Sequence, residues 1–159
     1  MVGSEIEIRP ATLADVPDLV RLRRVMFQAV TWDGPADMDG ATRASEEHLR
    51  TAIPAGTFRG WVAVTPAGEV VATGGLIIDH HLPTPRNLSG QVAYILNVVT
   101  DPAYRRQGLA RRIVQTMLDW TARQQIARVT LNASEHGRRL YASMGFQPTG
   151  NAMRMEIEK

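Results

Sequence analysis

Four arginines and a glycine lie close together in the second half of the chain, in a pattern that could bind an anion. Arg105, Arg106, Arg111 and Arg112 flank Gly108. Arginine binds phosphate through a planar fork of N–H donors, and a glycine lets a ligand approach the backbone closely. We therefore expect a phosphate site here, although an ordinary turn followed by a solvated basic helix would have the same composition.

The flanking residues predict that this stretch connects a strand to a helix. Before it, the apolar and β-branched residues 92–99 have the character of a buried strand, which Pro102 prevents from continuing. After it, apolar residues recur at helical spacing over 110–121, so a helix begins near Gly108 or Leu109. The first N–H groups of a helix lack intrahelical partners and carry the positive end of its dipole, which also favours an anion.

Two segments resemble signatures of the GNAT acyltransferase superfamily. The sequence R-R-Q-G-L-A at residues 105–110 matches Q/R-x-x-G-x-G/A, and Y-A-S-M-G-F at 141–146 resembles the family's Y-x-x-x-G-F ending. The resemblance covers most of the chain from about Glu5 onward. It implies an N-acetyltransferase that moves the acetyl group of acetyl-CoA directly to a primary amine, with a small molecule as the expected acceptor. The alternatives are a protein N-terminus or lysine as acceptor, or a catalytically silent CoA-binding module.

The resemblance also implies which residues would bind acetyl-CoA. The strand backbone at Val98, Val99 and Thr100 would pair with the pantetheine arm, although both valine side chains suit a core equally well. Asn132, which could also be a simple turn former, matches a position that often hydrogen-bonds the cofactor. The pyrophosphate would lie on the loop and helix start, formed by Arg105, Arg106, Gln107, Gly108, Leu109, Ala110 and Arg111.

Tyr141 is the catalytic residue that the resemblance implies. Its hydroxyl would protonate the departing CoA thiolate as a general acid. The residue type alone would equally suit an aromatic ring packing on the core. The general base stays unassigned, because Leu96 occupies a position where some relatives carry Glu. Other residues that could act as the base are Glu69, Asp79, His80 and His81.

The acceptor site is expected between the first two helices, the loop that joins them, and the loop 79–87. Trp32 is large and lies in the first of these loops, so we expect it to line the site. Several acids in this region would favour a cationic amine, or are simply solvated. They are Asp33, Asp37, Asp39, Glu46 and Glu47.

The predicted fold is α/β in the order βααβββαβαβ. Strands are predicted at 5–9, 58–64, 69–78, 92–100, 128–132 and 153–158, and the second helix at 42–53. Gly74 and Gly75 interrupt the third strand, which indicates a bulge or a close approach. The resemblance implies a GNAT-like mixed, mostly antiparallel sheet with helices on both faces, whose splayed central strands are 92–100 and 128–132. The first helix, ending near Phe27, carries a largely apolar stripe of Val16, Leu19, Val20, Arg23 and Phe27.

Composition restricts the remaining possibilities. The 159 residues, 44% of them hydrophobic, predict a single domain spanning 1–159. The chain has no apolar run of membrane-spanning length and no signal peptide in its first residues, so a cytoplasmic location is expected.

Without cysteine there is no thiolate metal site, and adjacent His80 and His81 would point to opposite faces of a strand, so no metal is expected. A net charge of +2 and 6% aromatic residues argue against nucleic acid. Oligomeric state stays open, a homodimer included.

Overall fold

The structure, a computed structural model, describes residues 5–158. Residues 1–4, in which no signal-peptide features were found, and residue 159 lie outside this description. Among the described residues, no helix is long and apolar enough to cross a membrane. The elements are β1 (Glu7–Pro10), α1 (Val16–Gln28), α2 (Met38–Ala55), β2 (Phe58–Val64), β3 (Val70–His80), β4 (Gln91–Thr100), α3 (Leu109–Arg123), β5 (Val129–Leu131) and α4 (Arg138–Ser143).

The five strands form one sheet in the order β1-β2-β3-β4-β5. All neighbouring pairs are antiparallel except β4 and β5, which are parallel. The pairing of β4 with β5 runs from Ala93–Val129 to Ile95–Leu131, whereas β4 continues to Thr100. The mixed, mostly antiparallel sheet is confirmed, and the final part of β4 extends beyond the edge of β5.

Helices cover both faces of the sheet, as predicted. On one face, α1 and α2 bury Leu19 and Leu49 against sheet residues such as Val62. On the other face, α3 buries Ile113 and Met117 in a separate cluster. The helical spacing of apolar residues in 110–121 therefore identified the side of α3 that packs on the sheet.

The predicted start and end of the second helix are both wrong. Helix α2 begins at Met38 instead of residue 42, because the Asp37 carboxylate accepts a hydrogen bond from the Gly40 N–H at 2.8 Å and caps the helix. The helix also ends at Ala55 instead of residue 53, with Pro54 in its last turn.

The predicted strand at 153–158 is also wrong, since this segment forms neither strand nor helix. Its apolar side chains Met153, Met155 and Ile157 are 98%, 80% and 79% exposed. Alternation shows only that one face of a segment could be buried, whereas a strand also requires a neighbouring backbone with which to pair.

Gly74 lies where helix α3 packs closely against the sheet. A substitution at this position therefore tests the packing. A Cβ at this position would clash with the Ile113 Cγ2 atom and lie 3.0 Å from Met117 Cε. Overpacking costs about 1–3 kcal/mol, which exceeds the gain of up to about 1 kcal/mol from stiffening the unfolded chain. We expect Gly74→Ala to lower the free energy of unfolding by about 1–2 kcal/mol in a denaturant titration. Gly150→Ala is the control, because a Cβ there meets nothing within 4 Å. Equal stability of the two variants would contradict this account.

Candidate active site

Strand β4 contains a bulge at Asn97. Thr73 of β3 pairs with Val99 and Gly75 pairs with Leu96, so two residues of β4 lie opposite the single residue Gly74. Asn97 takes up the extra length with a φ of 56°, which is uncommon for a residue other than glycine. The glycines of β3 therefore did mark a bulge, but the extra residue belongs to the facing strand.

The bulge reverses the alternation of side chains along β4. Ile95 packs in the cluster on the α3 face and Leu96 packs toward α1 and α2, whereas after the bulge Val98 packs toward α3 and Val99 toward α1 and α2. As a result, Leu96 and Asn97 are consecutive residues that line the same cavity. A regular strand would have placed them on opposite faces.

Two hydrogen bonds hold Asn97, which is buried. The Thr73 hydroxyl donates to the Asn97 carbonyl oxygen at 3.0 Å, inside the sheet. The Asn97 side-chain oxygen accepts from Arg23 Nη1 of α1 at 3.4 Å. The strained residue is therefore supported both by the neighbouring strand and by the helix above it.

The loop after β4 leads into α3 with the geometry expected of an anion site. Arg106 and Gly108 have φ values of 62° and 77°, and α3 begins at Leu109, whose buried side chain anchors the helix start. A Cβ at Gly108 would meet nothing within 4 Å, so this backbone faces open space. Gly108 has no side chain to cap α3, which leaves the N–H groups of the first turn free to bind a ligand.

The four arginines of this region have different environments. Arg111 Nη2 donates to the Ser143 hydroxyl of α4 at 2.5 Å, and Arg112 Nη2 donates to the Ile6 carbonyl at 2.6 Å. Arg105 and Arg106 are exposed beside the open face of the loop. Arg111 and Arg112 thus connect α3 to α4 and to the start of the chain, while Arg105 and Arg106 add positive charge at the loop.

Tyr141 is half-buried on α4, which the Arg111–Ser143 bond connects to the start of α3. Its ring packs edge-on against Phe146, with 5.7 Å between centroids, and contacts the core on the α3 face. Burial raises the pKa of the Tyr141 hydroxyl above its usual value, because desolvation disfavours the phenolate. The hydroxyl therefore keeps its proton at neutral pH.

Asn132 follows β5, on the side where β4 extends further. Its Nδ2 donates to the Tyr94 hydroxyl of β4 at 3.1 Å. This bond links the residue that follows β5 to Tyr94, which lies within the paired part of β4. Asn132 is exposed here, so its amide remains accessible to a ligand.

A cavity of about 400 Å³ lies on the α1 and α2 face of the sheet, next to the bulge. Both helices and strands β2, β3 and β4 contribute to its wall, whereas no residue of the loop 79–87 is among its lining residues. An acceptor site in this region stays a prediction. Its lining residues are Arg23, Ala44, Ser45, His48, Leu49, Phe58, Ile77, Leu96 and Asn97.

Trp32 is not among the residues that line this cavity. It packs instead against Phe27 of α1. Its ring packs edge-on against Phe27, and its indole N–H donates to the Phe27 carbonyl at 3.1 Å. Phe27 in turn lies under the Arg23 guanidinium, 4.6 Å from ring centroid to Cζ. A role for Trp32 in acceptor binding stays a prediction.

The acids and histidines considered from the sequence have other surroundings. Asp79 and His80 are exposed at the end of β3, and Glu69 accepts from the Tyr104 hydroxyl at 3.3 Å. Asp37 caps α2, while Asp39 and Glu46 form ion pairs with arginines. No cluster of three potential metal ligands occurs in the described part of the chain.

The sequence interpretation did not identify Arg23, Ser45, His48 or Asn97 as site residues. For Arg23 the sequence did contain an indication, because it is the single charged residue in the apolar stripe of α1. A charge on the side of a helix that faces the core is rarely kept without a partner or a function. The other three gave no local signal, since α2 and β4 bring them together only in the folded chain.

Comparison with known proteins gives matches in both sequence and fold. Residues 24–146 match the Acetyltransferase (GNAT) family. A glucosamine 6-phosphate N-acetyltransferase of Trypanosoma brucei brucei is 28% identical over 94 residues, which are 58% of this chain and 60% of that protein. The chain thus spans less than two thirds of this relative.

Solved structures extend the similarity to nearly the whole chain. A GCN5-related N-acetyltransferase from Ralstonia eutropha superposes with a TM-score of 0.87 at 29% identity, covering 96% of this chain and 98% of that one. A predicted acetyltransferase from Clostridium acetobutylicum, solved with acetyl-CoA, has the same fold with a TM-score of 0.85 at 22% identity, covering 95% of this chain and 96% of that one. The family match over most of its length shows that this chain belongs to the Acetyltransferase (GNAT) family.

Proposed function

We propose that this protein is an acetyl-CoA-dependent N-acetyltransferase that moves an acetyl group directly to the primary amine of a small molecule. The observation that carries the proposal is the bulge at Asn97. Beside this bulge, one edge of β4 extends beyond β5, and Leu96 and Asn97 line a cavity on the face of the sheet that α1 and α2 cover. Two reactants could thus approach the same point of the strand from different sides. A relative named for acetylating glucosamine 6-phosphate supports a small amine as acceptor.

The loop and the β4 edge have the chemistry that acetyl-CoA requires. The N–H groups at the start of α3, with exposed Arg105, Arg106 and Gln107, suit the pyrophosphate, and the open face of Gly108 admits it. Backbone groups of Val98, Val99 and Thr100, with the amide of Asn132, would bind the pantetheine arm. Acetyl-CoA supplies the acetyl group as an activated thioester.

Two side chains complete the proposed chemistry. Tyr141 keeps its proton at neutral pH and serves as the general acid for the thiolate. The acceptor ammonium must first lose a proton, and His48 is the residue of the cavity wall whose side chain most often acts as a general base. Its position in the wall favours it over Glu69, Asp79 and His80, which do not line the cavity.

Acetyl-CoA is expected to raise the melting temperature of the protein, because a ligand that binds only the folded state stabilises it. At about 100 times the dissociation constant the gain is about 2.7 kcal/mol, or roughly 5–11 °C for a domain of this size. Adenosine at the same concentration, which has no pyrophosphate, is the control and should have little effect.

The matching activity test incubates the protein and acetyl-CoA with a panel of small amines and measures free thiol. Release with small amines supports the proposal, while release only with peptides would indicate a protein acceptor. No melting shift at millimolar acetyl-CoA and no thiol release would overturn it.

A further inference from the structure

Arg23 is a half-buried cation in the wall of the cavity. Its Nε donates to the Ser45 hydroxyl at 3.2 Å and its Nη1 to the Asn97 side-chain oxygen at 3.4 Å. The face of its guanidinium lies over the Phe27 ring. Each of these partners is neutral, so none of them balances the charge of Arg23.

Neighbouring arginines have different partners. Arg21, Arg24 and Arg50 each have a carboxylate oxygen within 3.1 Å, from Asp18, Asp39 and Glu46. Over residues 5–158, no carboxylate lies within ion-pair distance of Arg23. Among the arginines of α1, Arg23 is therefore the one without an acidic partner in the described residues.

This arrangement is unfavourable unless something else compensates the charge. Burial lowers the pKa of the Arg23 guanidinium, because desolvation disfavours its charged form. An apolar residue at this position of the apolar stripe would pack without that penalty. A guanidinium has five N–H donors in a planar fork, and the two bonds to Ser45 and Asn97 leave donors unused.

We propose that Arg23 binds a carboxylate or phosphate group of the acceptor, so that the preferred substrate is a small amine that also carries an anionic group. This inference rests on the proposed function and names the substrate class of the same site. Arginine suits both anions because each can accept two parallel N–H bonds. The apolar wall of Leu49, Phe58 and Ile77 would exclude water from the ion pair and strengthen it.

The position of Asn97 relates this anion site to the site of transfer. Asn97 contacts Arg23 through its side chain and forms the β4 bulge through its backbone. An acceptor held by Arg23 is thereby placed beside the bulge, within a cavity of about 400 Å³ that suits a compact molecule. Both an amino acid and a phosphorylated amino sugar meet these requirements.

The test compares matched acceptors with wild type and with Arg23→Gln. One pair is an amino acid and its amide, and the other is glucosamine 6-phosphate and glucosamine. Charge-assisted hydrogen bonds contribute enough for a change of about 10- to 150-fold. We expect Arg23→Gln to lower kcat/KM for the anionic member of one pair by this factor, mainly through KM, and to leave the neutral member nearly unchanged. The pair that responds identifies the anion as carboxylate or phosphate.

Two further variants control for folding and for general loss of charge. Arg23→Lys keeps the charge without the fork and should retain part of the preference. Arg50→Gln removes an exposed arginine of α2 that pairs with Glu46 and should leave both pairs unchanged. The melting temperatures of all variants with CoA and each acceptor provide a binding measurement that does not depend on turnover.

The outcomes separate this inference from the proposed function. Amine acetylation with equal preference within both pairs, unchanged in Arg23→Gln, would overturn the anion site and leave the function standing. Melting shifts that depend on Arg23 and on the anion, without thiol release from any amine, would support the anion site and overturn the function. If acetylation loses its preference for the anionic acceptor in Arg23→Gln but not in Arg50→Gln, both the anion site and the proposed function are supported.

Discussion

Tyr141→Phe is expected to lower kcat by about 10² to 10⁴-fold while acetyl-CoA affinity stays within a few fold, the usual contribution of a general acid. The ring would still pack edge-on against Phe146, so the substitution removes the hydroxyl and little else. Because burial raises the pKa of this hydroxyl, the wild type keeps its acid protonated through neutral pH. The measurement is kcat for both proteins with one reactive amine, together with acetyl-CoA affinity and melting temperature.

Tyr104→Phe is the matched control for this prediction. The Tyr104 hydroxyl bonds Glu69 on the turn between β2 and β3, outside the cavity and the β4 edge. Removing it should leave kcat unchanged. A purely structural role for Tyr141 would instead alter stability by about 1 kcal/mol and leave turnover almost untouched. Unchanged kcat with a lower melting temperature would therefore assign Tyr141 to the core.

Gly108→Glu is expected to abolish measurable binding of acetyl-CoA, by at least about 10²-fold, because several charge-assisted hydrogen bonds would be lost together. The new carboxylate would extend into the open space that faces this glycine, at the positive end of the α3 dipole. A side chain there meets no atom of the protein, so the fold should tolerate it apart from the strain of a positive φ. Titration calorimetry with acetyl-CoA measures the effect.

Two variants distinguish the causes of this loss. Gly108→Ala has the same backbone strain without a carboxylate and should bind better than Gly108→Glu. Arg106→Ala removes one exposed charge beside the helix start and should have a much smaller effect than Gly108→Glu. If Arg106→Ala proved the more damaging change, side-chain charge would dominate and the loop would be a generic basic patch.

The strand, loop and helix around Gly108 could be derived from the sequence by itself. Helix α3 begins at Leu109 as expected, and its apolar spacing identified the buried side. The β2–β3 hairpin and the interruption at Gly74 were also evident. These features depend on residues close together in the chain, where backbone preferences and hydrophobic periodicity act directly. The resemblance to the GNAT superfamily came from the same local segments.

Features that depend on distant partners were decided only by the tertiary structure. Residues 153–158 alternate like a strand yet have no paired backbone, since pairing requires a neighbouring strand that no local pattern specifies. Asn97 forms a bulge opposite Gly74 of the neighbouring strand, although its own neighbours in the sequence predict a regular strand. Arg23 faces the cavity because α2 and the bulge bring Ser45 and Asn97 to it from elsewhere in the chain. The cavity beside the bulge therefore arises from long-range packing, whereas the proposed anion site at α3 arises from local sequence.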